Sequence, residues 1–136
     1  MKHSHELFLR IAHEVAKEST AERLKVGAVI AKEGSIIEFG YNGTPSGWST
    51  NICEENGVTS SVVIHAEMNT IAKCARLGKP VGDSILYITH APCIDCAKHI
   101  LASGIKGVVY SEDYRKDDGL HVLRQGGIYV TKFYSD

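Results

Sequence analysis

The spacing of apolar residues changes along the chain between a helical and an extended period, and these changes predict its elements. Apolar positions three and four residues apart predict helices over residues 3–18, 65–77, 93–103 and 118–125. Shorter apolar runs bounded by turn residues predict strands over residues 26–31, 36–41, 84–89, 107–110 and 127–130. The polar stretch 49–60 has no such pattern, and we expect it to be an irregular loop.

The order of these elements predicts the fold class. A tight turn at Gly34 joins the first two strands, so they should form an antiparallel hairpin. The later strands are joined through helices and should be parallel, with right-handed crossovers. The expected α/β fold is a three-layer α/β/α sandwich around a five-stranded mixed sheet. At 136 residues, the chain should be one domain, 1–136.

Charge and hydropathy narrow the classes of partner. The chain carries 15 basic and 16 acidic residues, without the basic excess of a protein that grips a polynucleotide. No apolar run approaches the roughly 20 residues that cross a bilayer, and the N-terminus lacks the apolar core of a signal peptide. We therefore expect a cytoplasmic protein that contacts neither membrane nor polynucleotide. A small anionic substrate would need only a few cationic groups.

Two motifs at predicted helix starts carry the candidate chemistry. The first contains His65 and Glu67, and the second contains Cys93 and Cys96. One imidazole and two thiolates can hold Zn²⁺ and leave a fourth position for water. Helix N-termini favour thiolates, and Glu67, two residues from the histidine, could move protons beside that position.

Other interpretations of these residues stay open. A closed structural zinc site would need a fourth ligand, such as His90 or His99, and would leave Glu67 without a role. A redox pair formed by Cys93 and Cys96 would leave His65 unexplained as well. A zinc-stabilised binding module without catalysis is the alternative from a different functional class.

These motifs resemble those of a known family. His65-Ala66-Glu67-x-Asn69 with Pro92-Cys93-x-x-Cys96 resembles the cytidine deaminase superfamily. Within that superfamily, Val26–Ile30 and the loop Gly40–Gly47 resemble the deoxycytidylate (dCMP) deaminases. The resemblance runs from about Arg23 to Tyr114 and implies a five-stranded sheet of the cytidine deaminase type. Deaminases of tRNA adenosine, free cytidine and riboflavin precursors are the rival members.

The resemblance implies an activity and a set of site residues. The expected reaction is zinc-dependent hydrolysis of dCMP to dUMP and ammonia, which supplies dUMP for thymidylate synthesis. His65, Cys93 and Cys96 would hold one Zn²⁺, and Glu67 would be the catalytic proton carrier. The expected substrate-binding residues are Asn42, Ala66 and Tyr114, with the cations Arg23 and Arg115 for the phosphate.

The resemblance also implies assembly and regulation. Members of the family are typically homohexamers that dCTP activates and dTTP inhibits, with Mg²⁺ accompanying the triphosphates. The candidate allosteric residues are Lys25, Gly43, Thr44 and Arg76. Some members hold a second zinc through a cysteine at the position of Ala21, so this departure puts a second zinc in doubt, although Cys53 matches another of their cysteines.

Overall fold

Four helices and seven strands lie within residues 2–133, which the computed structural model describes apart from the side chains of residues 2 and 3. The helices are α1 (Lys2–Ala16), α2 (Ala66–Arg76), α3 (Ile94–Ala102) and α4 (Asp118–Gln125). The strands are β1 (Gly27–Lys32), β2 (Ser35–Tyr41), β3 (Glu54–Glu55), β4 (Val58–Thr59), β5 (Ile85–His90), β6 (Gly107–Glu112) and β7 (Tyr129–Lys132).

Five of the strands form one mixed sheet in the order β2-β1-β5-β6-β7. Strand β1 runs antiparallel to both of its neighbours, whereas β5, β6 and β7 are parallel to one another. The central strands are covered on both faces, which explains why they appear in the sequence as continuous apolar runs. The predicted mixed sheet is therefore confirmed.

Helices cover both faces of the sheet. Successive side chains of a strand point to opposite faces, so Val29 contacts α1 on one side while Ile30 contacts the other layer. Helix α1 packs through Phe8, Leu9 and Ala12 against Val29, Tyr87 and Val109. The opposite layer comprises α2, α3 and α4, which pack through Ala66, Cys74, Ala97, Ile100, Leu120 and Leu123. The three-layer sandwich is confirmed.

Helix α1 is held against the sheet by one buried polar contact as well as by apolar packing. The hydroxyl group of Tyr87 lies 2.8 Å from Nδ1 of His5. Burial lowers the pKa of His5 and raises the pKa of Tyr87 to about 12, so both groups favour their neutral forms in this hydrogen bond. Helix α1 keeps a polar outer face, and none of the described helices has the length and apolarity to cross a bilayer.

One edge of the sheet collects the ends of four strands. The residue pairs Gly27 with Tyr41 and His90 with Glu112 place the start of β1 level with the ends of β2, β5 and β6. The strand order also changes direction there, since β2 lies on one side of β1 and the next strand of the sheet, β5, lies on the other. Crevices for ligands commonly form at such switch points in open α/β sheets.

The expectation of an irregular loop over residues 49–60 is wrong in part. Glu54–Glu55 pairs with Val58–Thr59 in a small hairpin, and Asn56 and Gly57 take the left-handed conformation with φ of 53° and 75°. Asn-Gly favours such two-residue turns. A hairpin this short has little stability alone. It is anchored by Glu54, whose Oε2 accepts hydrogen bonds from the backbone N–H groups of Glu22 and Arg23.

A buried carboxylate joins β2 to the end of α2. Oε1 and Oε2 of Glu38 lie 2.9 Å from Nζ of Lys73 and of Lys79, respectively. Burial disfavours the charged form, but the hydrogen bonds from the two lysines outweigh it and lower the pKa of Glu38 from 4.5 to about 2.

Replacing Glu38 by glutamine should lower the free energy of unfolding by about 1 kcal/mol at pH 7. Because the folded-state pKa of the wild-type carboxyl lies below its unfolded value, its contribution is complete above about pH 5. That contribution is lost as the pH falls towards 2. Urea unfolding of both proteins from pH 7 to pH 3 tests this, and an equal difference at every pH would contradict it.

Candidate metal centre

Two of the predicted metal ligands occupy the N-cap positions of neighbouring helices. His65 precedes α2 with φ −65° and ψ 153°, and Cys93 precedes α3 with φ −71° and ψ 169°. Neither side chain caps its own helix by a hydrogen bond. Cys96 lies in the first turn of α3 and is buried. The helix starts therefore aim three potential ligands at one point.

The distances between these side chains fit a tetrahedral zinc site. His65 Nδ1 lies 3.3 Å from Cys96 Sγ and 3.6 Å from Cys93 Sγ. Ordinary Zn–N and Zn–S bonds in a tetrahedron separate ligand atoms by roughly 3.5–3.8 Å. Across the described residues, this trio is the only group of three or more histidine, cysteine or acidic side chains close enough to hold a metal ion.

Hydrogen bonds among the three side chains shift the pKa of each of them. Hydrogen bonds from Cys96 and His65 lower the pKa of Cys93, which favours its thiolate form. The hydrogen bond between His65 and Cys93 raises the pKa of His65, and a separate hydrogen bond between Cys96 and Cys93 is the main cause of the raised pKa of Cys96. A metal ion would replace the shared protons as the positive charge between the sulfurs.

Glu67, the predicted proton carrier, lies beside this trio. It is the second residue of α2 and is 3% exposed. Burial raises the pKa of Glu67 to about 7, although hydrogen bonds from its own backbone N–H and with Cys96 act in the other direction. A carboxyl group in this environment can exchange protons near neutral pH, which a structural metal site does not need.

A cavity of about 570 Å³ opens in front of Glu67 at the sheet edge. His65 and Cys93 line it, and so do all the residues predicted to bind substrate: Arg23, Asn42, Ala66, Tyr114 and Arg115. The volume lies in the range of small-molecule sites. The structure thus brings together metal ligands, proton carrier and substrate candidates that are far apart in sequence.

Two of these substrate candidates have contacts that orient them. The side-chain amide of Asn42 accepts the N–H of Val26 and donates to the carbonyl oxygen of Leu24, which ties the end of β2 to the start of β1. The guanidinium carbon of Arg115 lies 5.7 Å from the ring centre of Tyr114. The cavity wall is therefore held by side chains as well as by the sheet.

Sequence reasoning missed several residues of the cavity wall. Glu54, Thr59, Val63 and Asp113 also line it, as do Cys53 and His90, which the sequence suggested only as possible metal ligands. Glu54 belongs to the small hairpin, whose Asn-Gly turn was the available signal. Thr59 belongs to the same hairpin. Val63 lies between β4 and α2, Asp113 directly follows β6, and no local pattern marks these two residues.

The alternative metal ligands have other partners. His90 lines the cavity, but its Nδ1 lies 2.8 Å from the hydroxyl oxygen of Thr89. Nδ1 of His99 lies 2.6 Å from the carbonyl oxygen of Asp95 on its own helix. Neither histidine joins the trio, so the closed four-ligand site has no support from them.

The candidate allosteric residues lie outside the cavity lining. Nζ of Lys25 donates to the carbonyl oxygen of Ser19 at 2.5 Å. Thr44 donates to the carbonyl oxygen of Thr50, and Arg76 is exposed in the last turn of α2. The backbone N–H and carbonyl groups of Gly43 bond with those of Ile64, the residue before a metal ligand candidate. Their regulatory role stays a prediction.

The positions considered for a second zinc are close together but lack a ligand set. Ala21 and Cys53 are both buried and line the cavity. The sulfur of Cys53 lies 3.6 Å from the hydroxyl oxygen of Thr20. No second metal-binding group occurs among the described residues. Cys74, in contrast, is fully buried in the core.

Comparison with known proteins finds a matching family model and relatives that cover most of this chain. A family model described as the cytidine and deoxycytidylate deaminase zinc-binding region matches residues 2–112. ComE operon protein 2 of Bacillus subtilis (strain 168) is 37% identical over 135 residues, covering 95% of this chain and 70% of that protein. The deoxycytidylate deaminase of Enterobacteria phage T4 is 37% identical over 168 residues, covering 90% and 86%.

A solved structure is similar over nearly the whole fold. The dCMP deaminase of cyanophage S-TIM5, in complex with dCMP and dUMP, superposes with a TM-score of 0.91 at 43% identity. The match covers 94% of this chain and 95% of that one.

The purified protein should contain one zinc ion, and Cys93→Ala should weaken zinc binding. The loss should exceed the roughly 10–100-fold that removal of a supporting residue costs, because a ligand itself is removed. Competition with a chromophoric chelator measures the affinity. Cys53→Ser is the matched control, since Cys53 lines the same cavity outside the trio. Equal zinc affinity of Cys93→Ala and wild type would contradict the assignment.

Proposed function

Because the chain belongs to the cytidine and deoxycytidylate deaminase family, we propose that it hydrolyses dCMP to dUMP and ammonia. The observation that carries this proposal is the buried Glu67 carboxyl group beside the three-ligand trio, facing a cavity with two arginines. A binding module stabilised by zinc would need the trio but not the carboxyl group. The catalytic domain would comprise residues 1–136.

The roles of the side chains follow from their positions. Zn²⁺ held by His65, Cys93 and Cys96 would supply a Lewis acid that makes water nucleophilic near neutral pH. Glu67 takes a proton from the attacking water and delivers it to N3 of the pyrimidine ring. The oxygen of that water bonds to C4. Glu67 then takes the remaining proton of this oxygen and carries it to the amino group, so that the C4–N bond breaks, ammonia leaves and C4 keeps a carbonyl oxygen. The backbone at Ala66, beside Glu67, contacts the base.

Two arginines on the cavity wall would distinguish a nucleotide from a nucleoside. Arg23 and Arg115 line the cavity and can form charge-assisted hydrogen bonds to a phosphate group. Tyr114 and Asn42, which line the same cavity, would contact the sugar and the edge of the nucleotide. The substrate of the S-TIM5 relative, a deoxynucleoside monophosphate, has this combination of base and anion.

Regulation by dCTP as activator and dTTP as inhibitor, with Mg²⁺, also belongs to the proposal. Its structural support is the backbone pairing of Gly43 with Ile64, because a ligand held by Gly43 and Thr44 would act on the residue next to His65. Initial rates with each triphosphate test this, and a flat response would contradict it.

Assembly into homohexamers in the cytoplasm, where dUMP would supply thymidylate synthesis, is the remaining part of the proposal. The part of this proposal that concerns self-association is supported by the edge strand β2, which exposes the apolar side chains of Ile36, Phe39 and Tyr41. Light scattering would measure the mass of the assembly, and a monomeric mass would contradict it.

Glu67→Gln should retain the fold and the bound zinc but lose activity. We expect kcat for dCMP to fall by roughly 10²–10⁴-fold, since glutamine cannot transfer the proton. Ammonia release, zinc content and circular dichroism provide the measurements. Glu55→Gln is the control, because Glu55 is an exposed carboxylate of the nearby hairpin. Normal turnover by Glu67→Gln would exclude the mechanism.

Replacing Arg23 or Arg115 by glutamine should raise KM for dCMP by roughly ten- to a hundredfold, because a charge-assisted hydrogen bond is lost. Activity on deoxycytidine, which lacks the phosphate, should change little. Arg10→Gln, an exposed arginine on α1, is the control. The phosphate-binding role is wrong if wild-type protein uses deoxycytidine as efficiently as dCMP, or if both variants match wild type.

A further inference from the structure

Gly119 of helix α4 packs against the backbone of Pro92 and Cys93, the segment that contains a proposed metal ligand. A Cβ atom added at this position would overlap the carbonyl oxygen of Pro92 and come within 2.9 Å of the carbonyl carbon of Cys93. Backbone atoms have no rotamers through which to escape such an overlap. A side chain at position 119 would therefore force one of the two backbone segments to move.

The other end of the same helix makes a contact of a different kind. Gly126, the C-cap of α4, also faces α3, but its Cβ would meet Cδ2 of Leu101 at 2.5 Å. The end of a leucine side chain can rotate aside, whereas a peptide group between β5 and α3 cannot. A glycine-to-alanine substitution can therefore be compared at the two ends of α4. At Gly119 it would clash with the backbone of Cys93, and at Gly126 it would not.

A larger residue at position 119 should displace the Pro92–Cys93 peptide and leave helix α4 in place. Leu120 and Leu123, the next residues of α4 that face the core, are 7% and 0% exposed and resist movement of the helix. Cys93 is the N-cap of α3, so movement of its peptide changes the direction of its side chain. Metal–ligand distances in protein sites lie within about 0.2 Å of their usual values, so such a movement would disturb the site.

We propose that Gly119 is a positioning residue for Cys93: its missing side chain lets α4 press against the Pro92–Cys93 peptide and fix the sulfur relative to His65 and Cys96. The inference rests on the proposed zinc ligands. It assigns to α4, which contributes no ligand, a direct influence on metal affinity and geometry.

Gly119→Ala should weaken zinc binding by roughly 10–100-fold, as loss of a supporting residue does, and should change the visible spectrum of the Co²⁺-substituted protein. Gly126→Ala should stay within about twofold of wild type, and Cys93→Ala provides the reference for a lost ligand. A folded Gly119→Ala protein with wild-type zinc affinity and cobalt spectrum would overturn the inference. If Cys93→Ala also binds zinc normally, the proposed ligand set is wrong instead.

Wild-type protein allows a second test that does not depend on the folding of a variant. If α4 fixes the ligand, zinc binding must in turn stabilise the first turn of α4. Zn²⁺ should therefore slow hydrogen exchange of the amides at 119–121 more than at 125–127. Equal protection of the two segments would overturn the inference.

Discussion

The candidate active site depends on one constraint, which is that α2 and α3 begin at the same edge of the sheet. Only this arrangement brings the side chains of His65, Cys93 and Cys96 within 4.8 Å of one another. The positive ends of both helices then face the sulfurs, which favours thiolates. Glu67 is buried by the same arrangement, since it lies in the first turn of α2.

The sheet supplies the remaining parts of the site. Because β5 and β6 are parallel, the segments that follow them leave from one edge and contribute Cys93 and Tyr114. Because β1 is antiparallel to both neighbours, the residues before it reach that edge too and place Arg23 on the cavity wall. The strand directions therefore place the candidate metal ligands and the two arginines, Arg23 and Arg115, around the same cavity.

Sequence patterns predicted the layers, the strand directions and the four central chemical groups, because these depend on local spacing. The contacts that complete the cavity could not be predicted in the same way. Glu54 reaches the wall through a hairpin that bonds to a segment 31 residues away, and the contact of Gly119 with Cys93 joins two elements without a shared motif. Only the Asn56-Gly57 turn offered a signal that the prediction overlooked.

We propose that the trio and Glu67 perform a hydrolysis and do not merely stabilise the fold. The most direct measurement follows dCMP and the zinc-loaded protein in water enriched in ¹⁸O, with mass spectrometry of the nucleotide and assay of ammonia. We expect dUMP with one ¹⁸O atom per base and one ammonia released per dUMP. Unchanged dCMP in the presence of folded, zinc-containing protein would contradict it.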